Sequence, residues 1–231
     1  MCATCGCGKH DHPETAGTET ITLEQRVLAK NDALAETNRG WLAARGMTAV
    51  NLMSSPGSGK TTLLERTIRG LRGTRPVAVV EGDQETPLDA ERIRRTGSPA
   101  VQVNTGAGCH LDAGMLHHAL HDLDPADGSL IFVENVGNLI CPALFDLGES
   151  GKVVIISVTE GTDKPLKYPH MFAVADLVLV NKVDLLPYVD FDVDVCRAHI
   201  AAVNPGCEVL ALSAIRGDNL ASWYAWLDSL K

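Results

Sequence analysis

The first eight residues, MCATCGCG, contain three cysteines at close spacing. Cys2, Cys5 and Cys7 are near enough in sequence to bind one small metal ion. A fourth donor would be the terminal amine or the imidazole of His10 or His12. Such a ligand set suits a soft or borderline divalent ion, with square-planar geometry pointing to Ni²⁺ and tetrahedral geometry to Zn²⁺. The sequence predicts a metal site here and leaves both ions open.

A glycine-rich stretch follows, NLMSSPGSGKTTLLER at 51–66, with the order strand, turn and helix. A bound phosphate needs converging backbone N–H groups, a helix N-terminus, a lysine charge and a hydroxyl for Mg²⁺, and this stretch provides all four. Ser54 replaces the first glycine of the usual pattern, whereas the later glycines are kept. The predicted nucleotide-binding residues here are Gly57, Ser58, Gly59, Lys60, Thr61 and Thr62.

A later motif indicates which base is bound. Asn181, Lys182 and Asp184 form the pattern NKxD after the apolar run DLVLV, and this pattern resembles the guanine-specificity element of GTPases. A carboxylate at Asp184 accepts hydrogen bonds from the guanine N1–H and exocyclic amine, two donors that adenine does not offer at those positions. Ser213 and Ala214 resemble the short loop whose backbone N–H contacts guanine O6. The sequence therefore predicts GTP as the nucleotide.

Two acidic residues end predicted strands at the same edge of the sheet. Asp83 is expected to reach Mg²⁺ directly or through water. Glu134 begins a Glu-x-x-Gly pattern in which Gly137 would present an N–H to the γ-phosphate, while Glu134 orients the water or the metal shell. The predicted Mg²⁺ ligands are Thr61, Asp83 and Glu134, and the predicted catalytic groups are Lys60, Asp83 and Glu134. No arginine finger is evident in the sequence, so slow turnover is expected.

A second group of metal ligands is predicted in two loops that follow strands. Cys109 and His110 open the stretch CHLDAGMLHHAL, and Cys141 lies in NLICPAL just after the strand that carries Glu134. A thiol at a helix N-terminus has a lowered pKa and is a ready ligand, and Cys109 is expected at such a position. Because the loops are expected to follow neighbouring strands, the three ligands should meet beside the γ-phosphate.

The other histidines and cysteines are given structural interpretations. His117, His118 and His121 are expected to be exposed or packed side chains, and Cys196 and Cys207 core or half-buried thiols. The chain has seven cysteines, and in a reducing compartment thiols persist as ligands, redox groups or small hydrophobes more readily than as disulfides.

Alternating apolar and amphipathic segments are expected to position these residues. Thr22-Leu-Glu-Gln25 has the pattern of a capping box, and an apolar stripe runs from it to Gly46, which predicts a helix. Runs of Val, Ile and Leu suit strands covered on both faces. The sequence predicts an α/β P-loop NTPase fold with a mostly parallel sheet of about seven strands flanked by helices. The strands are predicted at 48–53, 76–81, 100–104, 129–134, 152–158, 176–180 and 208–212.

Three segments are expected along the chain. Residues 1–20 form a metal-binding tail with a flexible tether, 21–46 an N-terminal helix, and 47–231 a P-loop GTPase domain. Trp223 and Trp226, in the last predicted helix, are interpreted as packing anchors.

Composition excludes several partners. The formal net charge is −9 and the pI is about 5.3, which argues against nucleic acid, because its binders need clustered Lys and Arg. No apolar run approaches the roughly 18 residues needed to span a bilayer, and no secretory signal is evident. The expectation is a cytoplasmic protein without a membrane or nucleic-acid partner.

Six segments together resemble one family, hydrogenase nickel incorporation protein B. They are CATCGCG, SSPGSGKTTLLE, EGDQET, GCHLDA, ENVGNLICP and NKVDLL, in that family's order. The resemblance implies a GTPase that helps insert nickel into the [NiFe]-hydrogenase large subunit precursor with a nickel-binding co-chaperone. It implies GTP or GDP, Mg²⁺, Ni²⁺ and Zn²⁺ as ligands and a homodimer formed around nucleotide. It also implies a nickel site in the tail and a Ni²⁺/Zn²⁺ site, at the subunit interface, formed by Cys109, His110 and Cys141.

Two alternatives stay open at this point. The urease accessory GTPase shares the fold, but it typically carries a single Cys-Pro-His in place of the paired sites. A nickel storage or sensing protein would have a vestigial nucleotide site, against which Lys60, Thr61 and Asp184 count. The histidine-rich tract of some relatives is reduced to His10 and His12, so bulk nickel storage is not expected.

Overall fold

The computed structural model describes residues 15–83, 88–106 and 108–230, with side chains from residue 25 onward. Among the described residues, no helix combines the length and the apolar character needed to cross a membrane. The predicted tail ligands lie outside these ranges, namely Cys2, Cys5, Cys7, His10 and His12.

A seven-stranded parallel sheet forms the centre of the protein, with the strand order β3-β2-β4-β1-β5-β6-β7. Each predicted strand is present with small shifts at its ends, and the predicted α/β P-loop fold is confirmed. The strands are β1 (Thr48–Ser54), β2 (Val77–Asp83), β3 (Ala100–Asn104), β4 (Leu130–Glu134), β5 (Gly151–Ser157), β6 (Leu177–Asn181) and β7 (Glu208–Ala211).

Helices connect the strands and cover both faces of the sheet. They are α1 (Thr15–Ala44), α2 (Lys60–Gly70), α3 (Leu88–Arg94), α4 (Ala113–Leu123), α5 (Lys164–Lys167), α6 (Pro169–Ala173), α7 (Val193–Val203) and α8 (Leu220–Ser229). Two short 3₁₀ helices span Cys141–Leu144 and Val183–Tyr188. Because the central strands are covered on both faces, β1, β4 and β6 consist of buried residues throughout.

The predicted packing anchors lie on α8, in the core that this helix forms with α2. Trp223 is fully buried, and its indole N–H donates to Thr67 Oγ1 at 2.9 Å. Trp226 stacks on Trp223 with ring centroids 5.6 Å apart. Cys196 is buried in a second apolar cluster with α6 and α7, and Cys207 is half-buried beside it, as predicted.

Helix α1 begins earlier than the sequence analysis expects. It starts at Thr15 instead of Thr22, so residues 15–20 of the predicted tether are helical. A capping-box pattern can also occur inside a helix, and extending a formed helix costs less than nucleating one. The predicted start at Thr22 was therefore wrong.

Two buried asparagines fasten α1 to the rest of the domain. Asn38 Nδ2 donates to the carbonyl oxygens of Ala113 at 2.9 Å and Leu147 at 3.0 Å. Asn31 accepts from the Ala113 N–H at 2.9 Å and donates to the carbonyl of Asp146 at 2.8 Å. These bonds fix α1 against the start of α4.

All strands end at one edge of the sheet because they are parallel. Ser54, Asp83, Glu134 and Asn181 are the last residues of β1, β2, β4 and β6. In open parallel sheets, ligands bind in the crevice beyond these carboxyl ends. The candidate site is therefore expected at this edge.

Replacing Asn38 by Ala should destabilise the fold. The change removes the Asn38 donor from two buried carbonyl oxygens, and a buried polar group left unsatisfied costs roughly 1–3 kcal/mol. Urea unfolding of Asn38→Ala should show a loss of about 2–3 kcal/mol in the free energy of unfolding. Thr37→Ala, on the exposed face of the same turn, is the matched control and should change it by about 0.5 kcal/mol or less. Equal stabilities of the two variants would contradict the role of Asn38.

Candidate nucleotide and metal site

The loop between β1 and α2 has the geometry of a phosphate-binding loop. Gly57 and Gly59 have φ angles of 76° and 99°. Residues with a Cβ rarely adopt this left-handed backbone conformation. A Cβ on Gly59 would lie 2.5 Å from Asn181 Nδ2, so this position has no room for a side chain. Helix α2 begins at Lys60 and directs its N-terminus at the loop, which favours a bound anion.

A cavity of about 610 Å³ lies over this loop. Its walls include Lys60, Thr61, Asp83, Glu134 and Gly137, five residues that the sequence analysis assigns to nucleotide or Mg²⁺ binding. The structure therefore brings the predicted phosphate-side residues to one place.

Ser54, at the position of the missing glycine, contacts the lysine of the loop. It is fully buried at the end of β1, and Lys60 Nζ donates to its hydroxyl oxygen at 2.7 Å. Burial lowers the pKa of the Lys60 ammonium, while the nearby carboxylates, Glu134 first, act in the opposite direction. The serine thus gives the lysine a hydrogen-bond partner.

Two buried glutamates face each other at the bottom of the cavity. Glu134 Oε1 accepts from the Thr61 hydroxyl at 2.8 Å. Glu81 lies directly opposite Glu134 in the register of β2 and β4. Burial raises the pKa of Glu134 to about 7. Burial, and then the charge of Glu134, raises the pKa of Glu81 to about 8.

Glu81 was not among the site residues predicted from the sequence. It lies two residues before Asp83 on β2 and lines the same cavity. The period of two along a strand places it on the same face as Asp83, and this was the available signal. Arg92 of α3 was also missed. It lines the cavity and is paired with Glu65 and Asp89.

The acidic end of the cavity fits a divalent cation. Oε2 of Glu81 and Oε2 of Glu134 are buried without a hydrogen-bond partner. Buried polar atoms are rarely left unpaired, and carboxylate and hydroxyl oxygens are the ligands that Mg²⁺ prefers. The residues present therefore fit the Mg²⁺ that a phosphate-binding loop implies.

The predicted base-recognition residues converge on the other side of the loop. Asn181 Nδ2 donates to the carbonyl of Ser58 at 2.9 Å, and Asn181 Oδ1 accepts from the Ala214 N–H at 3.1 Å. Lys182 Nζ donates to the carbonyl of Gly57 at 2.7 Å. Asn181 and Lys182 thus fasten the phosphate loop to the predicted base-binding segments.

Asp184 is held by one hydrogen bond from the predicted guanine loop. The Ser213 hydroxyl donates to Asp184 Oδ1 at 2.5 Å. The Ala214 N–H of the same loop donates to Asn181. Ile215, the next residue, is 68% exposed and lines both the phosphate cavity and the recess beside Asp184.

The predicted ligands of the second metal site come together. One potential ligand atom from each of Cys109, His110 and Cys141 lies within 4.8 Å of the other two, and this is the only such group of three or more among the described residues. His110 stacks on Phe145 with centroids 3.9 Å apart. Burial lowers the pKa of His110, which favours the neutral imidazole that binds metal.

Two expectations about this cluster were wrong. Helix α4 begins at Ala113 with Asp112 as its N-cap, so Cys109 lies outside the helix N-terminus. The pKa of the Cys109 thiol is raised, first by its hydrogen bond with Cys141 and then by burial. The loops also do not follow neighbouring strands, because β2 lies between β3 and β4.

The ligands still meet because the Cys109 loop crosses the end of β2. A Cβ on Gly82 would lie 2.7 Å from Leu111 Cγ, so the Leu111 side chain occupies the space that this glycine leaves free. The Leu111 N–H donates to Asn135 Oδ1 at 3.1 Å. Asn138 Nδ2 donates to the carbonyl of Cys109 at 3.3 Å. The segment after β4 therefore holds the Cys109 loop in place.

These features define a P-loop nucleotide-binding protein with an adjoining cluster of thiol and imidazole ligands. The model of the family CobW/HypB/UreG, nucleotide-binding domain, matches residues 48–211. Hydrogenase maturation factor HypB of Azotobacter vinelandii is 57% identical over 216 residues, which are 94% of this chain and 71% of that protein. The chain belongs to the HypB branch of the CobW/HypB/UreG family.

Two solved structures agree with this assignment. The crystal structure of hydrogenase maturation factor HypB from Archaeoglobus fulgidus has a TM-score of 0.81 and 43% identity, covering 87% of this chain and 98% of that one. The crystal structure of HypB from Helicobacter pylori in complex with nickel has a TM-score of 0.80 and 38% identity. It covers 86% of this chain and 93% of that chain.

The buried acid pair should make stability depend on pH. The pKa of Glu81 is raised from 4.5 to about 8 in the folded protein, so the folded state binds this proton more tightly than the unfolded state. The resulting stabilisation is complete below 4.5 and is lost as the pH rises towards about 8. In the absence of nucleotide and Mg²⁺, the stability of Glu81→Gln should therefore fall less across this pH range than that of the unchanged protein.

Urea midpoints measured at several pH values across that range test this expectation. Glu91→Gln changes an exposed acid on α3 and should keep the pH dependence of the unchanged protein. The same pH dependence in Glu81→Gln and in the unchanged protein would contradict the proposed protonation of Glu81.

Proposed function

We propose that this protein is a GTP-hydrolysing nickel metallochaperone that helps insert nickel into the [NiFe]-hydrogenase large subunit precursor. It would receive nickel with a nickel-binding co-chaperone and form a homodimer around nucleotide. The named relatives and the nickel complex of the Helicobacter pylori protein support the general assignment. The arrangement of the two sites in this chain supports the finer statement.

The choice of GTP rests on Asp184. Its carboxylate lies beside the phosphate loop, and the Ser213 hydroxyl orients one oxygen. An oriented carboxylate can accept from both guanine donors, whereas adenine offers neither at those positions. Asn181 and Lys182 hydrogen-bond to the phosphate-loop carbonyls of Ser58 and Gly57. These bonds would fix the base-binding segment relative to the phosphate loop.

The residues proposed to act on the phosphates are Lys60, Thr61, Asp83 and Glu134, to which we add Glu81. Lys60 supplies positive charge, and the loop N–H groups hold the phosphate oxygens. Glu134 Oε1 accepts a hydrogen bond from the Thr61 hydroxyl, and this bond orients both side chains. The second carboxylate oxygen of Glu134, Oε2, is available to a water. When bound, Mg²⁺ would neutralise phosphate charge, and Thr61, Asp83, Glu81 and Glu134 would hold it.

Cys109, His110 and Cys141 are proposed to bind Ni²⁺ or Zn²⁺. Thiolate and imidazole suit both ions, and the geometry of the bound ion would distinguish them. A second ion is proposed at Cys2, Cys5 and Cys7 of the tail, outside the described residues. The cluster of Cys109 is half-exposed, which suits an ion that must be handed on to a partner.

One observation carries the proposal: a single short segment connects the two sites. It begins at Glu134 in the phosphate cavity, passes Gly137 in the cavity wall and reaches Cys141 in the metal cluster. Along it, Asn135 and Asn138 hydrogen-bond to the loop that carries Cys109. A γ-phosphate that moves this segment would therefore move metal ligands, which is how nucleotide state would change metal affinity.

The alternatives are supported less well. The urease accessory GTPase would need only one Cys-Pro-His, whereas two loops here supply a paired ligand set. A storage or sensing protein with a vestigial nucleotide site would not need a cavity lined by Lys60, Thr61 and Glu134, with Thr61 hydrogen-bonded to Glu134.

GTP binding and hydrolysis by Asp184→Asn test the proposed function. Losing one charge-assisted pair with guanine should cost about 2–4 kcal/mol of GTP affinity and shift preference towards xanthosine nucleotides. Asp190→Asn, an exposed acid near the same segment, is the matched control and should bind GTP normally.

Lys60→Ala should abolish hydrolysis. Equal binding of ATP and GTP by the unchanged protein, or hydrolysis unaffected by Lys60→Ala, would overturn the proposal.

A further inference from the structure

A second group of imidazoles lies on the outer surface of α4, separate from the Cys109 cluster. His117 and His121 are one helical turn apart, so their side chains are neighbours on one face. Their ring centroids are 4.3 Å apart. His121 is exposed and His117 is half-buried against α1. The two rings therefore lie side by side at the protein surface.

The hydrogen bonds of Asn38 determine which nitrogen of His117 carries the proton. Asn38 Nδ2 donates to two carbonyl oxygens, those of Ala113 and Leu147, which fixes the orientation of the amide. Asn38 Oδ1, which can only accept, lies 3.0 Å from His117 Nδ1. His117 Nδ1 must therefore be the donor, and in the neutral ring the lone pair is on Nε2.

His121 has the same tautomer, which is fixed by a different acceptor. Its Nδ1 lies 2.8 Å from the carbonyl oxygen of His117, which can only accept, so Nδ1 is the donor here as well. The neutral ring again has its lone pair on Nε2. Histidine ligands of metals usually donate their other ring N–H to a carbonyl or carboxylate, which fixes the tautomer and the ring orientation. Both rings meet this condition before any ion binds.

We propose that His117 and His121 form a surface site for a borderline divalent cation such as Ni²⁺ or Zn²⁺, bound through both Nε2 atoms with water completing the shell. Imidazole suits these ions, with metal–nitrogen distances of about 2.0–2.1 Å. Two histidines at positions i and i+4 of a helix can bind one metal ion, and these two rings have centroids 4.3 Å apart. The site lies on α4 and is supported by α1, so it does not depend on the nucleotide function.

The surroundings of the pair keep the His117 ring neutral, and the nearest guanidinium is already paired. Burial, and then the charges of His121 and His118, lower the pKa of His117, which keeps this ring neutral and able to bind metal. Arg45 stacks over the Trp41 ring nearby, but its charge is paired with Asp124 and Asp127 at 3.0 and 2.7 Å. Repulsion between this guanidinium and a bound ion is thereby reduced.

Trp41 provides a local reporter of the site. Its ring centroid lies 5.4 Å from that of His121. Ni²⁺ has an open d shell and quenches indole fluorescence at close range, whereas Zn²⁺ does not. The other two tryptophans, Trp223 and Trp226, lie on α8 and are buried in the core that it forms with α2. Quenching that depends on His121 therefore reports an ion beside Trp41.

The test is a Ni²⁺ titration of the full chain, followed by Trp fluorescence and by equilibrium dialysis. His121→Gln changes an exposed residue, and His117→Gln keeps a donor for Asn38, so neither should unfold the protein. His118→Gln is the matched control, because His118 has the same Nδ1 bond to a carbonyl, that of Gly114 at 2.7 Å, but its ring is 5.9 Å from His117 and edge-on. The thiol sites are present in every variant, so differences isolate the histidine pair.

The unchanged protein and His118→Gln should each bind one more equivalent of Ni²⁺ than His117→Gln and His121→Gln do. Ni²⁺ should quench Trp fluorescence in the first two proteins, and this quenching should be lost in His117→Gln and His121→Gln. Affinity at this site should fall by at least about tenfold, since even outer partners of metal ligands contribute about 10–100-fold. Zn²⁺ should compete with Ni²⁺ and reverse the quenching. Equal stoichiometry and quenching in the unchanged protein and His121→Gln, or equal losses in all three variants, would overturn the proposed pair.

Discussion

The hydrogen bond from the Leu111 N–H to Asn135 Oδ1 is the contact on which the arrangement of the two sites depends. Asn135 is buried directly after β4, and its amide nitrogen donates to Asn51 Oδ1 of β1 at 3.2 Å. Asn51 in turn donates to Glu149 Oε1 at 3.1 Å. This chain of amides holds the Cys109 loop over β2 and across to Cys141. Without it, nothing in the strand order would bring those ligands together, because β2 separates their strands.

Three buried titratable groups lie together at the bottom of the phosphate cavity. Glu81 and Glu134 are buried opposite each other, and Lys60 lies beside them with a pKa lowered by burial. Both acid pKa values are raised, so protonation offsets part of the repulsion between the two carboxyl groups. A divalent cation would replace those protons and satisfy the two unpaired carboxylate oxygens. In the proposed function, this makes cation and nucleotide binding depend on each other, and both act on the segment that begins at Glu134.

Local patterns in the sequence predicted most of the fold and the parts of the site that depend on short motifs. All seven strands, the phosphate loop and the NKxD segment were found because apolar runs, glycine positions and motif order are local signals. The misses depend on contacts between distant residues. Glu81 faces a second buried acid through the register of β2 with β4, and the pKa of Cys109 is raised first by its hydrogen bond with Cys141 and then by burial. The early start of α1 was missed because a capping pattern inside a helix looks the same as one at its end.

The central claim is that nucleotide state changes the metal affinity of the Cys109 cluster, and by linkage the metal must change nucleotide affinity by the same factor. The direct measurement is Ni²⁺ and Zn²⁺ affinity of the full chain with Cys2, Cys5 and Cys7 changed to Ser, in the presence of GDP or of a non-hydrolysable GTP analogue. The account predicts different affinities in the two states, a smaller difference in Asn135→Ala, and weakened binding in Cys109→Ala and Cys141→Ala. Identical affinities in both nucleotide states, or binding unaffected by the two cysteine changes, would contradict it.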